Sequence, residues 1–157
     1  MIPKLNPRDA SDVLKNGGTA IYPTEGIYGL GCDPFNSKSV ENIFKAKGRS
    51  KNKSFIILGS DIKYFHNIID STYFMDESLQ SMSFTTWVVP SNENCPPWLK
   101  KNDTVAIRLT KHETVKLLCD YMNAPIISTS ANLSNSCLLY TSPSPRDRTR
   151  SRMPSSA

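Results

Sequence analysis

Paired cysteines, clustered histidines and long apolar runs are all absent from this chain of 157 residues. The four cysteines are scattered and form no CxxC pair, which favours a reducing compartment over a disulfide framework. The two histidines, His66 and His112, are too far apart in the sequence to suggest a metal-ligand motif. No apolar run approaches the ~18–20 residues that a membrane span needs. We therefore expect one soluble, cytoplasmic domain with no metal held by protein side chains.

The end of the chain, residues 137–157, does not resemble a natural protein sequence. Its segment CLLYTSPSPRD matches the translation of a sequencing-library transposase adaptor, and SRMPSSA resembles the translated far end of such an adaptor. We expect a domain at 1–136 followed by a disordered artefact, the alternative being a genuine disordered tail. The tail carries four arginines and one aspartate, a net +3 of the chain's +5, so the high pI does not support nucleic-acid binding.

The segment 20–53 begins with a short apolar run that predicts a buried strand. Ala20, Ile21 and Tyr22 form that run, and Pro23 ends it because proline cannot donate to a sheet ladder. Three glycines then follow within a predicted turn, where they are expected to let the backbone approach a ligand closely. They are Gly26, Gly29 and Gly31.

A helix and a group of cations complete this segment. Ser37 is predicted to cap the helix and Gly48 to end it. Four cations follow within seven positions, and beside the glycines they suggest a site for a polyanion, most simply a nucleotide phosphate. They are Lys47, Arg49, Lys51 and Lys53. The alternative is a solvated basic loop after a helix.

Hydrophobic spacing predicts further helices and strands along the chain. The helices are expected from Asn6 and Pro7 to Gly17, near 62–69, at 76–82 and at 113–122, and the strands at 54–58, 85–89, 104–109 and from Ile126. Strands and helices alternate without strict βαβ regularity. This pattern favours a single α/β domain with a sheet of mixed strand direction.

Three positions near predicted strands carry side chains that suit a ligand. Thr24 and Glu25 lie where the chain leaves the first strand, although Pro-Thr-Glu-Gly would also serve as a simple turn. Arg108 is a cation flanked by apolar residues in a predicted strand. Such an arginine needs a partner, and a substrate carboxylate is one option. The alternative is an arginine on an edge strand that faces water.

The last predicted strand leads directly into the sequence STSAN. Ser128, Ser130 and Asn132 offer short polar side chains after an apolar strand, together with backbone donors. Such a loop can hold phosphate or ribose oxygens, but an ordinary capped turn has the same composition.

Two separated motifs resemble those of a known family. PTEGIYGLGCD followed by KAKGRSKNK is similar to the signature of the threonylcarbamoyl-AMP synthase family (TsaC/YrdC), and STSAN matches its second motif about eighty residues later. The resemblance implies a YrdC-like twisted mixed sheet flanked by helices. It also implies a domain that is incomplete at its C-terminus, because family members continue well beyond STSAN.

The resemblance implies an enzyme that condenses L-threonine, bicarbonate and ATP to threonylcarbamoyl-AMP and pyrophosphate, aided by Mg²⁺. A partner complex then transfers the threonylcarbamoyl group to tRNA. By position, the implied ATP-binding residues are Lys47, Arg49, Lys53, Thr104, Ser128 and Asn132, and the implied threonine-binding residues are Thr24, Arg108 and Ser130. No Ser/His/Asp or Cys/His arrangement suggests a nucleophile or base, and this chemistry depends on positioning and charge stabilisation.

The sequence also departs from the family pattern. Ser81-Met82-Ser83-Phe84 stands where many relatives have a Trp-Pro-Gly-Pro-like turn. Because the expected end of the domain is missing, we expect the chain as written to bind ATP weakly. Two alternative functions remain: a non-catalytic module that binds double-stranded RNA or tRNA, and a carbamoyl-transfer domain related to hydrogenase maturation.

Overall fold

A computed structural model describes residues 3–81 and 84–132 of the chain. Ten helices and strands lie within these residues. They are α1 (Pro7–Lys15), β1 (Thr19–Pro23), β2 (Tyr28–Cys32), α2 (Ser37–Lys47), β3 (Ile56–Gly59), α3 (Glu77–Ser81), β4 (Trp87–Pro90), β5 (Thr104–Leu109), α4 (Glu113–Met122) and β6 (Ile126–Ser130). Two short 3₁₀ helices, Ile62–Phe65 and Ser71–Met75, connect β3 to α3. No helix in the described part of the chain has the length and apolar character to cross a membrane.

The six strands form one sheet in the order β1-β2-β6-β3-β5-β4. Only β3 and β5 pair in parallel, and the other neighbours in this sheet are antiparallel. The predicted α/β domain with a sheet of mixed direction is therefore confirmed. The last described strand, β6, lies between β2 and β3, so residues from both ends of the described chain meet in the middle of the sheet.

Helices cover both faces of the sheet because successive strand residues point to opposite sides. On β6, Ile127 packs into a core cluster with residues of α2, whereas Ile126 packs into a second cluster with residues of α1 and α4. On β3, Ile57 packs into the first cluster and Leu58 into the second. The site described below is lined by residues of β2, β3, β5 and β6.

Polar side chains cap the starts of α1 and α2. The Asn6 side chain caps α1, as the sequence predicts. Asn36 rather than Ser37 caps α2, because its side-chain oxygen accepts a hydrogen bond from the backbone N–H of Ser39. Gly48 ends α2 as predicted, in the left-handed conformation with a φ of 57°.

Strand β2 is a correction to the sequence prediction, which placed Gly29 and Gly31 in a turn facing a ligand. Both lie in a strand, and a Cβ at either position would meet protein groups, although Gly29 also lines the cleft described below. The ring of Tyr22 packs against both glycines, and its hydroxyl donates a hydrogen bond of 3.1 Å to the carbonyl of Ile127. These glycines therefore let β1, β2 and β6 pack closely.

Other elements differ from the prediction at their ends. β3 begins at Ile56 and β4 at Trp87, two residues later than expected. β5 and α4 have the predicted bounds, and the helix predicted at 76–82 is α3, although residues 82 and 83 lie outside the described part of the chain. The segment predicted as a helix near 62–69 is a single turn of 3₁₀ helix.

We expect the three described cysteines to be unreactive in the native protein. Cys32, Cys95 and Cys119 are free and buried. Burial raises the pKa of Cys32 and of Cys119 to about 12, and it also raises the pKa of Cys95. At pH 8 these thiols therefore stay protonated, and only the thiolate reacts rapidly. In a Cys137→Ser variant, Ellman's reagent should detect no thiol at pH 8 until guanidinium is added, and rapid reaction without denaturant would contradict this burial.

Candidate active site

Four of the predicted site residues line one cleft of about 170 Å³: Thr24, Arg108, Ser128 and Ser130. The connection between β1 and β2 forms one wall of the cleft, and strands β2, β3, β5 and β6 supply the remainder. Thr24 and Ser130 belong to segments more than a hundred residues apart in the sequence. They meet because β6 is inserted beside β2.

Lys47 joins the end of α2 to the loop that follows β6. Its side chain is buried, with an exposed fraction of 3%. The ammonium donates to the Ser130 carbonyl at 2.6 Å, to the Asn132 side-chain oxygen at 3.1 Å and to the Asn132 carbonyl, and it lies 3.4 Å from the Ser130 hydroxyl. Burial, and secondarily the charge of Arg49, lowers the pKa of Lys47. The lysine therefore fixes the STSAN loop. None of these partners is a carboxylate, so they do not neutralise its charge.

Arg49 lies two residues beyond Lys47, after the end of α2. Its guanidinium donates to the Ser54 carbonyl at 3.1 Å and lies 5.0 Å from the centre of the Phe55 ring. These contacts hold the 48–55 loop against the domain. Partial burial lowers the pKa of Arg49.

Arg108 lies on β5, between β3 and β4, so the alternative of an edge-strand arginine is wrong. The side chain is half-buried, and its Nε and one terminal nitrogen donate to the hydroxyl of Thr86 at 2.9 and 2.6 Å. None of the ion pairs found among residues 3–81 and 84–132 includes Arg108. Arg108 therefore lines the cleft without a direct ion pair to a carboxylate of the described chain.

Lys53 and Thr104 do not line this cleft. Thr104 begins β5, roughly 13 Å along the strand from Arg108, and its hydroxyl donates to the Lys101 carbonyl at 2.8 Å. Lys53 lies in a separate cleft of about 470 Å³. That cleft, which we call the lysine cleft, is lined by Lys51, Asn52, Lys53, Ser54, Trp98, Lys100 and Lys101.

Three further residues support the site. The sequence pattern marks Glu25 as a side chain that suits a ligand but assigns it to no substrate, and it gives Thr86 and Thr110 no role. Glu25 lines the cleft, and its carboxylate accepts a hydrogen bond from the buried hydroxyl of Thr110. Thr86 holds Arg108. The position of Glu25 at a strand end was a usable signal, whereas the sequence pattern did not point to Thr86 or Thr110. The described residues contain no group of three or more His, Cys, Asp or Glu side chains arranged to hold a metal.

Comparisons with known proteins agree with the family resemblance of the PTEGIYGLGCD, KAKGRSKNK and STSAN motifs. Residues 12–153 match the Sua5/YciO/YrdC family model, which is described as "Telomere recombination". The threonylcarbamoyl-AMP synthase of Hydrogenovibrio crunogenus is 37% identical over 139 residues, which cover 84% of this chain and 75% of that protein. The threonylcarbamoyl-AMP synthase of Pseudoalteromonas translucida is 40% identical over 127 residues, 77% of this chain and 68% of that protein.

A solved structure shares the fold. The crystal structure of P. abyssi Sua5 complexed with L-threonine superposes with a TM-score of 0.73 at 30% identity. The match covers 81% of this chain but only 38% of the P. abyssi chain, so this chain spans about two fifths of that protein. From the family model, the two synthases and the shared fold together, we conclude that the chain belongs to the Sua5/YciO/YrdC family.

Proposed function

We propose that this chain is an L-threonylcarbamoyladenylate synthase, an adenylate-forming enzyme that uses L-threonine, bicarbonate and ATP. The observation that carries the proposal is the Arg108 guanidinium, which forms no ion pair and lines a cleft beside Ser128 and Ser130. A half-buried arginine without a carboxylate partner favours binding of an anionic group. The carboxylate of an amino acid meets that requirement, and a relative of the same fold is complexed with L-threonine.

The size of the cleft supports an assignment of threonine to it. Its volume of about 170 Å³ is smaller than the roughly 300–1,000 Å³ of pockets that enclose drug-sized ligands. We therefore place threonine in the cleft, with Thr24, Arg108 and Ser130 as its binding residues. ATP would lie beside it, over the STSAN loop and the end of α2, with Asn132 on the nucleotide and Ser128 where the two substrates meet.

The reaction requires charge stabilisation rather than a protein nucleophile. The threonine amine forms a bond to the carbon of bicarbonate and water is lost, which gives N-carboxythreonine. An oxygen of its carbamate carboxylate then attacks the α-phosphorus of ATP, and the bond from that phosphorus to the oxygen bridging to the β-phosphate breaks, releasing pyrophosphate. Lys47 and Arg49 supply positive charge beside the reacting phosphate, with Lys53 and Thr104 further along the nucleotide. Fixed cations act strongly on charge that develops in the transition state.

Mg²⁺ would be held mainly by the ATP phosphates in this proposal. Magnesium in such sites commonly takes one or two carboxylates and keeps phosphate and water ligands. The ion would neutralise phosphate charge, while the side chains of this chain orient threonine and the STSAN loop. A threonylcarbamoyl transferase complex acting on tRNA in the cytoplasm would consume the product.

The proposal is tested by measuring pyrophosphate release by the purified protein. We expect release to require ATP, bicarbonate and L-threonine together, and to stop when any one is omitted. Release that depends on carbamoyl phosphate instead of threonine would favour the carbamoyl-transfer function. Absence of release with all three substrates, in a protein that melts cooperatively, would overturn the proposal.

The lysine cleft favours one second candidate, a module that binds double-stranded RNA or tRNA. Lys51 pairs with Glu41 and Lys100 with Asp103, both at 3.8 Å, whereas no ion pair among the described residues includes Lys53 or Lys101. Such lysines can contact phosphates, and the affinity would then fall steeply as salt increases. Salt-dependent retention of duplex RNA without any pyrophosphate release would select this function over the synthase.

A further inference from the structure

The threonine cleft contains a carboxylate as well as a guanidinium. Glu25 lines it from the connection between β1 and β2, and Arg108 lines it from β5. The two residues form no ion pair with each other among those found in the described chain. An α-amino acid at neutral pH carries both an ammonium and a carboxylate. Its carboxylate is complementary to the Arg108 guanidinium, and its ammonium is complementary to the Glu25 carboxylate.

We infer that Glu25 binds the amino group of the amino-acid substrate and that it thereby selects a substrate with a free amine. This inference rests on the proposed function, which places threonine in the cleft with its carboxylate on Arg108. Glu25 would then be a specificity-determining residue. A half-buried carboxylate without a cationic partner is costly unless a ligand neutralises it.

Glu25 is held in place by a residue at the end of β5. Its carboxylate accepts a hydrogen bond from the Thr110 hydroxyl, and that hydroxyl also accepts a hydrogen bond from the backbone N–H of His112 at 3.1 Å. Thr110 is buried, and its backbone N–H donates to the Gly59 carbonyl at 3.0 Å. A neutral donor fixes the carboxylate without cancelling its charge. Thr110 is therefore a positioning residue for Glu25.

The competing explanation is that Glu25 only closes the turn after β1. Its bond to Thr110 ties that turn to the end of β5, which is a structural role in itself. Glu25→Gln separates the two explanations. Glutamine has nearly the same shape and keeps an oxygen that accepts from Thr110, but it has no charge for an ammonium.

The test measures ligand binding to the purified protein by calorimetry, in EDTA and without ATP, so that a magnesium role cannot contribute. Three ligands are compared: L-threonine, threoninol, which lacks the carboxylate, and 3-hydroxybutyrate, which lacks the amine. Glu25→Gln should weaken L-threonine binding about tenfold to a hundredfold, as expected for loss of a hydrogen bond between charged groups. It should weaken threoninol similarly and leave 3-hydroxybutyrate unchanged.

Arg108→Met is the matched control with the opposite selectivity. It should weaken L-threonine and 3-hydroxybutyrate and leave threoninol unchanged. Thr110→Val should weaken L-threonine binding because it frees the Glu25 carboxylate, and Thr110→Ser, which keeps the donor, should restore it. If Glu25→Gln lowers the melting temperature below the assay temperature, Glu25→Asp replaces it and should give an intermediate loss.

The outcomes distinguish this inference from the function on which it rests. If the wild-type protein binds L-threonine and Glu25→Gln binds it equally well, the inference is wrong and the synthase proposal stands. If Glu25→Gln weakens all three ligands equally, Glu25 only shapes the cleft and the inference is again wrong. If the wild-type protein binds none of them, the assignment of this cleft to threonine is itself overturned.

Discussion

Lys47→Met is expected to lower threonine-dependent pyrophosphate release by about 10²–10³-fold, the loss seen when one preorganised donor to transition-state charge is removed. Methionine has a similar length but no charge. The substitution leaves the Ser130 and Asn132 oxygens without the ammonium that now joins them. The loop carrying Ser128, Ser130 and Asn132 would then lose its fixed position, so both charge and geometry are affected.

Lys45→Met is the surface control for this prediction. Lys45 lies on the same helix, its side chain is 70% exposed, and it pairs with Glu41 at 3.6 Å. Exposed pairs of this kind contribute about 0–1 kcal/mol to stability, so the rate should stay close to that of the wild-type protein. Lys47→Arg keeps the charge but cannot place it among the same oxygens, and we expect an intermediate rate. Equal rates for Lys47→Met and wild type would exclude Lys47 from the reaction.

The melting temperature distinguishes a loss of activity at the site from a loss of folding in Lys47→Met. Each buried oxygen that loses its hydrogen-bond donor lowers the free energy of unfolding by about 1–3 kcal/mol when no water replaces the donor. Some loss of stability is therefore expected, and rates must be compared below the lower melting midpoint. A large loss of rate at a temperature where the variant is still folded assigns the effect to the site.

Local patterns in the sequence predict the elements around this site with uneven success. β5 and α4 are predicted with correct bounds because alternation and helical spacing dominate those segments. β2 is missed because two of its five residues, Gly29 and Gly31, are typical of turns. The reason for these glycines is tertiary: the Tyr22 ring occupies the space where their side chains would be.

The partners of charged residues are the part of the site that sequence reasoning could not supply. Lys47 was predicted as a phosphate ligand, but the pattern gives no indication that its ammonium contacts Ser130 and Asn132. That contact depends on the insertion of β6 between β2 and β3. The local spacing of apolar and polar residues does not indicate which non-consecutive strands are neighbours in a sheet. In the same way, Arg108 cannot be assigned to an inner strand until β4 is known to lie outside β5.

Gly31→Ala is expected to destabilise the protein by about 2–4 kcal/mol, since overpacking costs about 1–3 kcal/mol and a lost buried hydrogen bond about 1 kcal/mol more. A Cβ at this position would lie 2.2 Å from the Ile127 carbonyl oxygen and 2.8 Å from the Tyr22 ring. The nearest atom belongs to the backbone of β6, so rotation of a side chain cannot relieve the clash. Strands β2 and β6 must separate, which also breaks the hydrogen bond from Tyr22 to Ile127.

Gly26→Ala is the matched control, because a Cβ at Gly26 would meet no atom within 4 Å. Its free energy of unfolding should stay within about 0.5 kcal/mol of the wild-type value, as for most surface substitutions. Urea unfolding followed by circular dichroism measures both variants. Because β2 and β6 carry Gly29, Ser128 and Ser130 along the cleft, Gly31→Ala should also weaken threonine binding at temperatures where it remains folded. A Gly31→Ala protein as stable as Gly26→Ala would mean that β2 and β6 do not pack as closely as described, and that the cleft between them has a different shape.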